Sequence, residues 1–427
     1  MDLSPSFTGP KRNHRINSEI AIAGAGIAGM TAALALAKYN IPSIIYERTS
    51  ALQEVGAGIQ LAPNATRLLG DLGLLDALSP YICAPDFINL SDADNGRPSL
   101  HLPIKEFSVN HWHFPYLTIH RADMQKALKR EIDKNPLVKF VGGSPIETVS
   151  GNAGQGFKLH FSSADNTGEK QAEQLLCCDG VWSRLRAAYG EKSQFSSYIA
   201  WRATMAKEDL PQELLAGRTL NSVSAYMSRD SHFIIYPLRK GAFYNFVVLT
   251  KGADIGQTWS HKGDKNKLLS LFNGKSELLR ALIEQTPEWT FWPLFQMPFP
   301  RFLGENGSIF LGDASHAVTP FAAQGAAMAI EDACACAKAL ADMRSAAGAA
   351  SKKQIFSHFD KTRQERLRLV AKRGDFNRFV YHLSGPMALA RNMVMRLRPQ
   401  KSFLKDLDWL YGYNALAPLT EPRLRNS

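Results

Sequence analysis

Residues 20–29 read Ile20-Ala21-Ile22-Ala23-Gly24-Ala25-Gly26-Ile27-Ala28-Gly29, and Met30, Ala33, Leu34 and Ala37 continue the run at helical spacing. The pattern predicts strand, turn and helix. Gly24 permits a sharp turn, Gly26 lets a pyrophosphate reach backbone N–H groups at the positive end of the helix, and Gly29 lets the helix pack close to its strand. A second strand, Ile41 to Tyr46, ends in Glu47, whose carboxylate is placed to accept ribose hydroxyls. Arg48, next in the chain, counts with it among the binding residues. A bare GxGxxG is weak evidence, whereas strand, loop, helix, second strand and terminal acid together point to a dinucleotide.

A matching signal lies far downstream. The apolar strand Ser308-Ile309-Phe310-Leu311 enters Gly312-Asp313-Ala314-Ser315-His316, followed by Pro320, Gln324-Gly325-Ala326-Ala327-Met328 and Glu331-Asp332-Ala333. Between the two stand His120-Arg121-Ala122-Asp123 and Cys178-Asp179-Gly180-Val181-Trp182-Ser183-Arg184-Leu185-Arg186. Read alone, the latter is an Asp-Gly turn capping a basic helix, and Asp123 is the N-cap of a helix carrying Met124, Leu128 and Ile132.

Together these residues resemble the aromatic-ring hydroxylases, single-component FAD monooxygenases of the para-hydroxybenzoate hydroxylase fold. The chain is most similar to the group containing salicylate hydroxylase, 3-hydroxybenzoate 6-hydroxylase and 6-hydroxynicotinate 3-monooxygenase. The resemblance gives Asp313 the flavin's ribityl chain and the Gly325-Ala326 backbone the isoalloxazine. N–H groups at a helix start also stabilise negative charge on a reduced flavin. By the same likeness Arg121 lies along the flavin, and Asp179 belongs to a motif associated with both FAD and NAD(P)H. The ending Asp408-Trp409-Leu410-Tyr411-Gly412-Tyr413-Asn414 looks like a C-terminal signature of the same relatives.

The fold class implied is α/β. A Rossmann-like FAD-binding domain of glutathione-reductase type, residues 18–82, 117–189 and 307–343, is interleaved with a substrate-binding β-sheet domain, residues 83–116 and 190–306. Residues 1–17 are expected to form a flexible tail and 344–427 a C-terminal helical region. Strand-like runs within the second insertion are Ser222 to Met227, His232 to Leu238 and Phe243 to Thr250.

Acid–base chemistry points to His232 and Tyr236. On a strand these positions share a face ~13 Å apart, able to reach opposite sides of one ring with Ile234 as an apolar floor. A neutral imidazole accepts a phenolic proton while Tyr236 orients a hydroxyl or carboxylate. The pair matches positions used in 6-hydroxynicotinate and 3-hydroxybenzoate hydroxylases; the residues alone equally allow a buried core histidine and tyrosine. Gln60 and Phe321 stand where the nicotinate enzyme has histidines, which removes two polar anchors for a pyridine acid. With Pro320 they are counted in the substrate pocket. Trp201-Arg202 leaves two destinations open for the guanidinium, a substrate carboxylate or solvent, and Arg202 is not placed in the catalytic set. His316 is assigned a structural bond within its loop or to a neighbouring strand. His111 and His113, flanking Trp112, are read as a loop at the entrance of the substrate domain.

The 427 residues are too many for one ordinary core, and 45% hydrophobic with 21% charged residues is a globular composition. Cys83, Cys177, Cys178, Cys334 and Cys336 lack metal-ligand spacing and read as reduced thiols of a cytoplasmic protein, with no metal site. The net charge of +11 suits anionic substrates and NAD(P)H. Without a stacking platform or DNA-binding motif, nucleic acid is not expected as a partner. No run approaches the ~20 apolar residues of a transmembrane helix. Gly385 to Phe403 reads either as a basic amphipathic surface helix or as one packed on the FAD domain or a second subunit.

The expected activity is hydroxylation of a small phenolic acid such as salicylate or hydroxybenzoate with NADH or NADPH and O₂, through a flavin C4a-hydroperoxide, in a monomer or homodimer. Two other readings are a reductase, oxidase or epoxidase acting on a non-aromatic or polyketide substrate, and a redox-switched interaction protein.

Overall fold

The computed structural model describes residues 19–51, 58–163, 166–215, 220–258 and 261–417. All four residues of Ile20–Ala23 are buried, because the strand is central in a five-stranded parallel sheet covered on both faces. The order runs Ile309–Phe310, Gln174–Cys177, Ile20–Ala23, Ser43–Tyr46 and Val138–Val141. Three sequence-distant segments therefore meet in one sheet, with the glycine turn and the Gly312 turn leaving its carboxyl end. The helix after the first turn, Ile27–Lys38, is buried along almost its whole length and packs on the helix Gly325–Ser345. Its small side chains make that approach possible.

An eight-stranded sheet lies beyond, with Ser231–Leu238 between Phe243–Lys251 and Ser222–Met227. Strand alternation divides two cores here. Phe233 and Ile235 pack with Phe272 and Trp289, while Tyr236 and Leu238 join the core shared with the glycine-loop helix. Asn245 reaches across from this sheet and accepts the Gly58 N–H at 2.9 Å, and Tyr236 donates to the Gly58 carbonyl at 2.5 Å.

Two expectations change on this scaffold. Asp123 does not cap its helix: His120 does, accepting from the Ala122 N–H at 3.2 Å. Asp123 instead pairs with Arg239 at 2.7 Å, joining the helix Arg121–Lys134 to the large sheet. His111 and Trp112 end the helix Ile104–Trp112, and both donate to Asp408 at 2.8 Å, so they clamp the C-terminal segment.

The basic run from Lys361 onward lies on the helix Ala349–Tyr381, and two of its arginines face inward. Arg363 bonds Glu331 and Asp332 at 2.8 Å, while Arg366 bonds Glu331 at 2.8 Å and the Trp409 and Leu410 carbonyls. All four charged groups are buried. Burial by itself would raise both carboxyls, yet Arg366 and Arg363 hold Glu331 below the usual range, and His316 and Arg363 do the same for Asp332. A depressed folded value means the stabilisation is complete above the ordinary carboxylate range and is lost as pH falls through the folded values. Replacing Arg363 with Met leaves two buried acids short of a partner and is expected to cost ~3–5 kcal/mol at neutral pH. Denaturant unfolding should show that difference shrinking on acidification, as the carboxylates protonate in the wild type too.

Candidate active site

Two connected hollows follow the carboxyl end of the parallel sheet. The first, about 620 Å³, is lined by Gly24, Gly26, Glu47, Arg48, Arg121, Gln125, Asp179 and neighbouring residues. It adjoins a cavity of about 290 Å³ through the shared residues Gly26, Arg121, Cys178 and Trp182.

The three glycines divide their work as the sequence implies. Gly24 has φ +101°, and a Cβ there would stand 2.5 Å from the Cys178 carbonyl oxygen. A methyl at Gly29 would overlap the Gly24 carbonyl oxygen. At Gly26 a Cβ would meet nothing within 4 Å, and no side chain caps the helix that starts there. That helix start thus presents backbone N–H groups to open space. Glu47 braces the loop by accepting the Ala25 N–H at 2.7 Å, its other oxygen taking the Thr49 N–H and hydroxyl. Asp179 accepts the Leu185 N–H at 3.3 Å with one oxygen, while the other is buried without a partner; burial raises its carboxyl. Ser183, not Asp179, caps the short helix Arg184–Ala187.

The inner cavity is walled by Asp313, Pro320, Gly325 and Ala326 on one side and by strands of the large sheet on the other. A Cβ at Gly325 would again meet nothing within 4 Å. Asp332 positions this wall, accepting the Gly312 N–H at 3.0 Å and bonding His316 at 2.5 Å; the His316 bond goes to the helix Gly325–Ser345. Asn64 joins in by donating to Gln324 at 3.0 Å and Glu331 at 2.7 Å. Arg186, at the end of the Asp179 motif, is buried and donates to the Ala314 and Ser315 carbonyls beneath the same turn.

The large sheet contributes Arg202, Ile234, Tyr236, Val247, Leu249 and Trp292, and Gln60 comes from the separate strand Gly58–Leu61. Tyr236 and Ile234 line the cavity; His232 and Phe321 do not. Those two rings stand together, centroids 5.4 Å apart, next to Leu249, the strand partner of His232. His232 Nδ1 lies 3.1 Å from His382 Nε2 at the end of the long helix, and its own Nε2 is buried without a partner. The scheme of one ring held between His232 and Tyr236 therefore changes, because the end of the long helix takes up the His232 side. Burial, with His382 adding to it, lowers the His232 imidazole to about 3 and keeps it neutral. Gln60 accepts the Tyr116 hydroxyl at 2.5 Å.

Arg202, for which the sequence allowed two destinations, faces the cavity. Trp201 turns to the opposite core, so strand alternation delivers Arg202 to the cavity, its guanidinium 4.3 Å from the Trp292 ring. Its Nε is buried without a hydrogen-bond partner, and no acidic side chain pairs with it among the described residues. Burial lowers its guanidinium to about 10, which leaves it charged at neutral pH.

The channel of backbone N–H groups, the unpartnered Asp179 oxygen and the uncrowded Gly26 and Gly325 fit a flavin dinucleotide running from the outer hollow to the inner cavity. A family described as FAD binding domain matches residues 17–373. The 3-hydroxybenzoate 6-hydroxylase of Klebsiella oxytoca is 29% identical over 395 residues, 92% of this chain and 96% of that protein. The 6-hydroxynicotinate 3-monooxygenase of Bordetella bronchiseptica is 30% identical over 412 residues, covering 95% and 97%. A salicylate hydroxylase substrate complex superposes with TM-score 0.76 at 22% identity, covering 94% and 97%. The chain belongs to this FAD-binding family and is an FAD-dependent monooxygenase.

Gly29→Ala is expected to disturb the loop and lose FAD, whereas Gly26→Ala should keep the fold and weaken FAD retention. The flavin-to-protein absorbance ratio, read beside a thermal melt, separates the two. Asp313→Ala should lower FAD retention and activity together.

Proposed function

We propose that the enzyme hydroxylates a small phenolic carboxylate, using NAD(P)H and O₂. The observation that carries this reading is Arg202, a cation without an acidic partner among the described residues, set in a wall of Trp292, Phe295, Ile234 and Leu249. A planar aromatic acid supplies both the missing anion and the apolar ring. Bound FAD, once reduced, supplies the activation of O₂; the chain's own groups hold and orient the substrate and exclude water.

In this reading Arg202 grips the carboxylate. Tyr236, whose phenol is pushed upward by burial and stays protonated, already donates to Gly58 and so accepts from a substrate hydroxyl. His232, neutral and tethered by His382, stands outside the cavity and positions its wall through its strand partner Leu249. Gln60, already engaged by Tyr116, and the apolar Phe321 give no histidine anchors for a pyridine acid, which favours benzoate-type substrates.

The decisive experiment measures NADH and NADPH oxidation by the FAD-loaded protein over phenolic and pyridine carboxylates, with product and peroxide quantified together. Acceleration with hydroxylated product is expected for phenolic acids; peroxide alone, or no acceleration, would reject the hydroxylase reading. Arg202→Gln should raise KM for the carboxylate ~10–100-fold, the size of a lost charged hydrogen bond, and leave an uncharged phenol unaffected. His232→Asn should lower coupled product with FAD content unchanged. Because the folded imidazole is neutral down to about 3, its protonation should place no acidic limb near pH 6.5 in the wild-type kcat/KM profile.

A further inference from the structure

The helix Gly385–Leu397 presents apolar residues on the side turned away from the protein. Its inner side, with Ala388, Arg391, Asn392 and Met395, packs beside the edge strand Pro98–Leu102, and Arg391 donates to the Val380 carbonyl at 2.9 Å. Its outer side carries Met387, Leu389, Met393, Val394 and Leu397. All five are exposed, Leu389 at 72% and Leu397 at 74%. Phe376 and Phe379, on the last turns of the preceding helix, are exposed as well. Single surface apolars are ordinary, but a helix face built of them marks an interaction site.

Charge selects the occupant. Residues 372–405 hold eight Lys and Arg against one acid, Asp375, a net +7 out of the chain's +11. Lys372, Arg378, Arg396, Lys401 and Lys405 are exposed around the apolar face. A second copy meeting this face through a two-fold axis would set like charge against like. The terminal segments are basic too, with Lys11, Arg12 and Arg15 at one end and Arg423 and Arg425 at the other. An anionic lipid surface offers negative headgroups to the cations and acyl chains to the methionines and leucines in one plane. The match to the FAD-binding family ends at residue 373, where this segment begins. No helix among the described residues is long and apolar enough to cross a membrane, so the contact is parallel to the surface.

We propose that the helix Gly385–Leu397 and its flanking cations dock the enzyme on an anionic phospholipid bilayer, with Met387, Leu389, Met393, Val394 and Leu397 in the interfacial layer.

The test is flotation of the full-length, FAD-loaded protein with vesicles of phosphatidylcholine, alone or mixed in equal parts with phosphatidylserine. Binding to the mixed vesicles should exceed binding to pure phosphatidylcholine by ~10-fold or more and weaken as salt is raised. The exposed triple variant Leu389→Gln, Met393→Gln, Leu397→Gln should retain FAD and turnover yet lose vesicle binding ~10-fold or more. Arg396→Gln with Lys401→Gln and Lys405→Gln should also lose it. Failure of the wild type to bind mixed vesicles, or undiminished binding by the flavinated triple variant, overturns the proposal. Light scattering without vesicles is read in parallel: a wild-type dimer that binds no vesicles and becomes monomeric in the triple variant makes the face a subunit contact and also overturns it.

Discussion

The buried ion cluster of Glu331, Asp332, Arg363 and Arg366 is the constraint on which the site depends. Buried charges are tolerable only when every one is paired and hydrogen-bonded, and here each acid meets arginine while the spare bonds go to Asn64, His316, the Gly312 N–H and two C-terminal carbonyls. Those spare bonds reach the Gly312-Asp313 turn directly and the Gln324-Gly325 helix start through Asn64. The two backbone segments that wall the inner cavity are thus fixed by charges that touch no ligand. The C-terminal helices take part in building the flavin site from behind.

A second electrostatic feature has the opposite character. Arg202 is left incomplete: its planar guanidinium rests on Trp292, and among the described residues no carboxylate meets it. An unpaired cation in an apolar wall is unfavourable in the free protein and becomes favourable when an anion arrives. The cluster braces the walls of the inner cavity, whereas Arg202, which the sequence left between two destinations, lines that cavity.

The helical end of the chain divides its charges in the same way. Arg363, Arg366 and Arg391 turn inward and hold elements together, whereas Lys372, Arg378, Arg396, Lys401 and Lys405 remain outside. A single basic composition therefore serves packing on one side and an outward electrostatic face on the other.

Sequence by itself determined the parts whose physics is local. Glycines 24, 26 and 29 announce a turn, an open helix start and a close approach because each demand falls on one backbone position. The strand-like runs at 222–227, 232–238 and 243–250 fall within one residue of the observed strands, since β-branched and aromatic content is itself a local signal. The tertiary structure decided what depends on distant partners. Asp123 read as a cap until Arg239 claimed it, and His111 read as an entrance residue until Asp408 did. Arg202 had two destinations that only the placement of the strand in its sheet could separate. His232 found His382, 150 residues away, rather than the ring that strand spacing had offered it. Periodicity assigns a residue to a face, but what waits opposite that face is set by long-range packing.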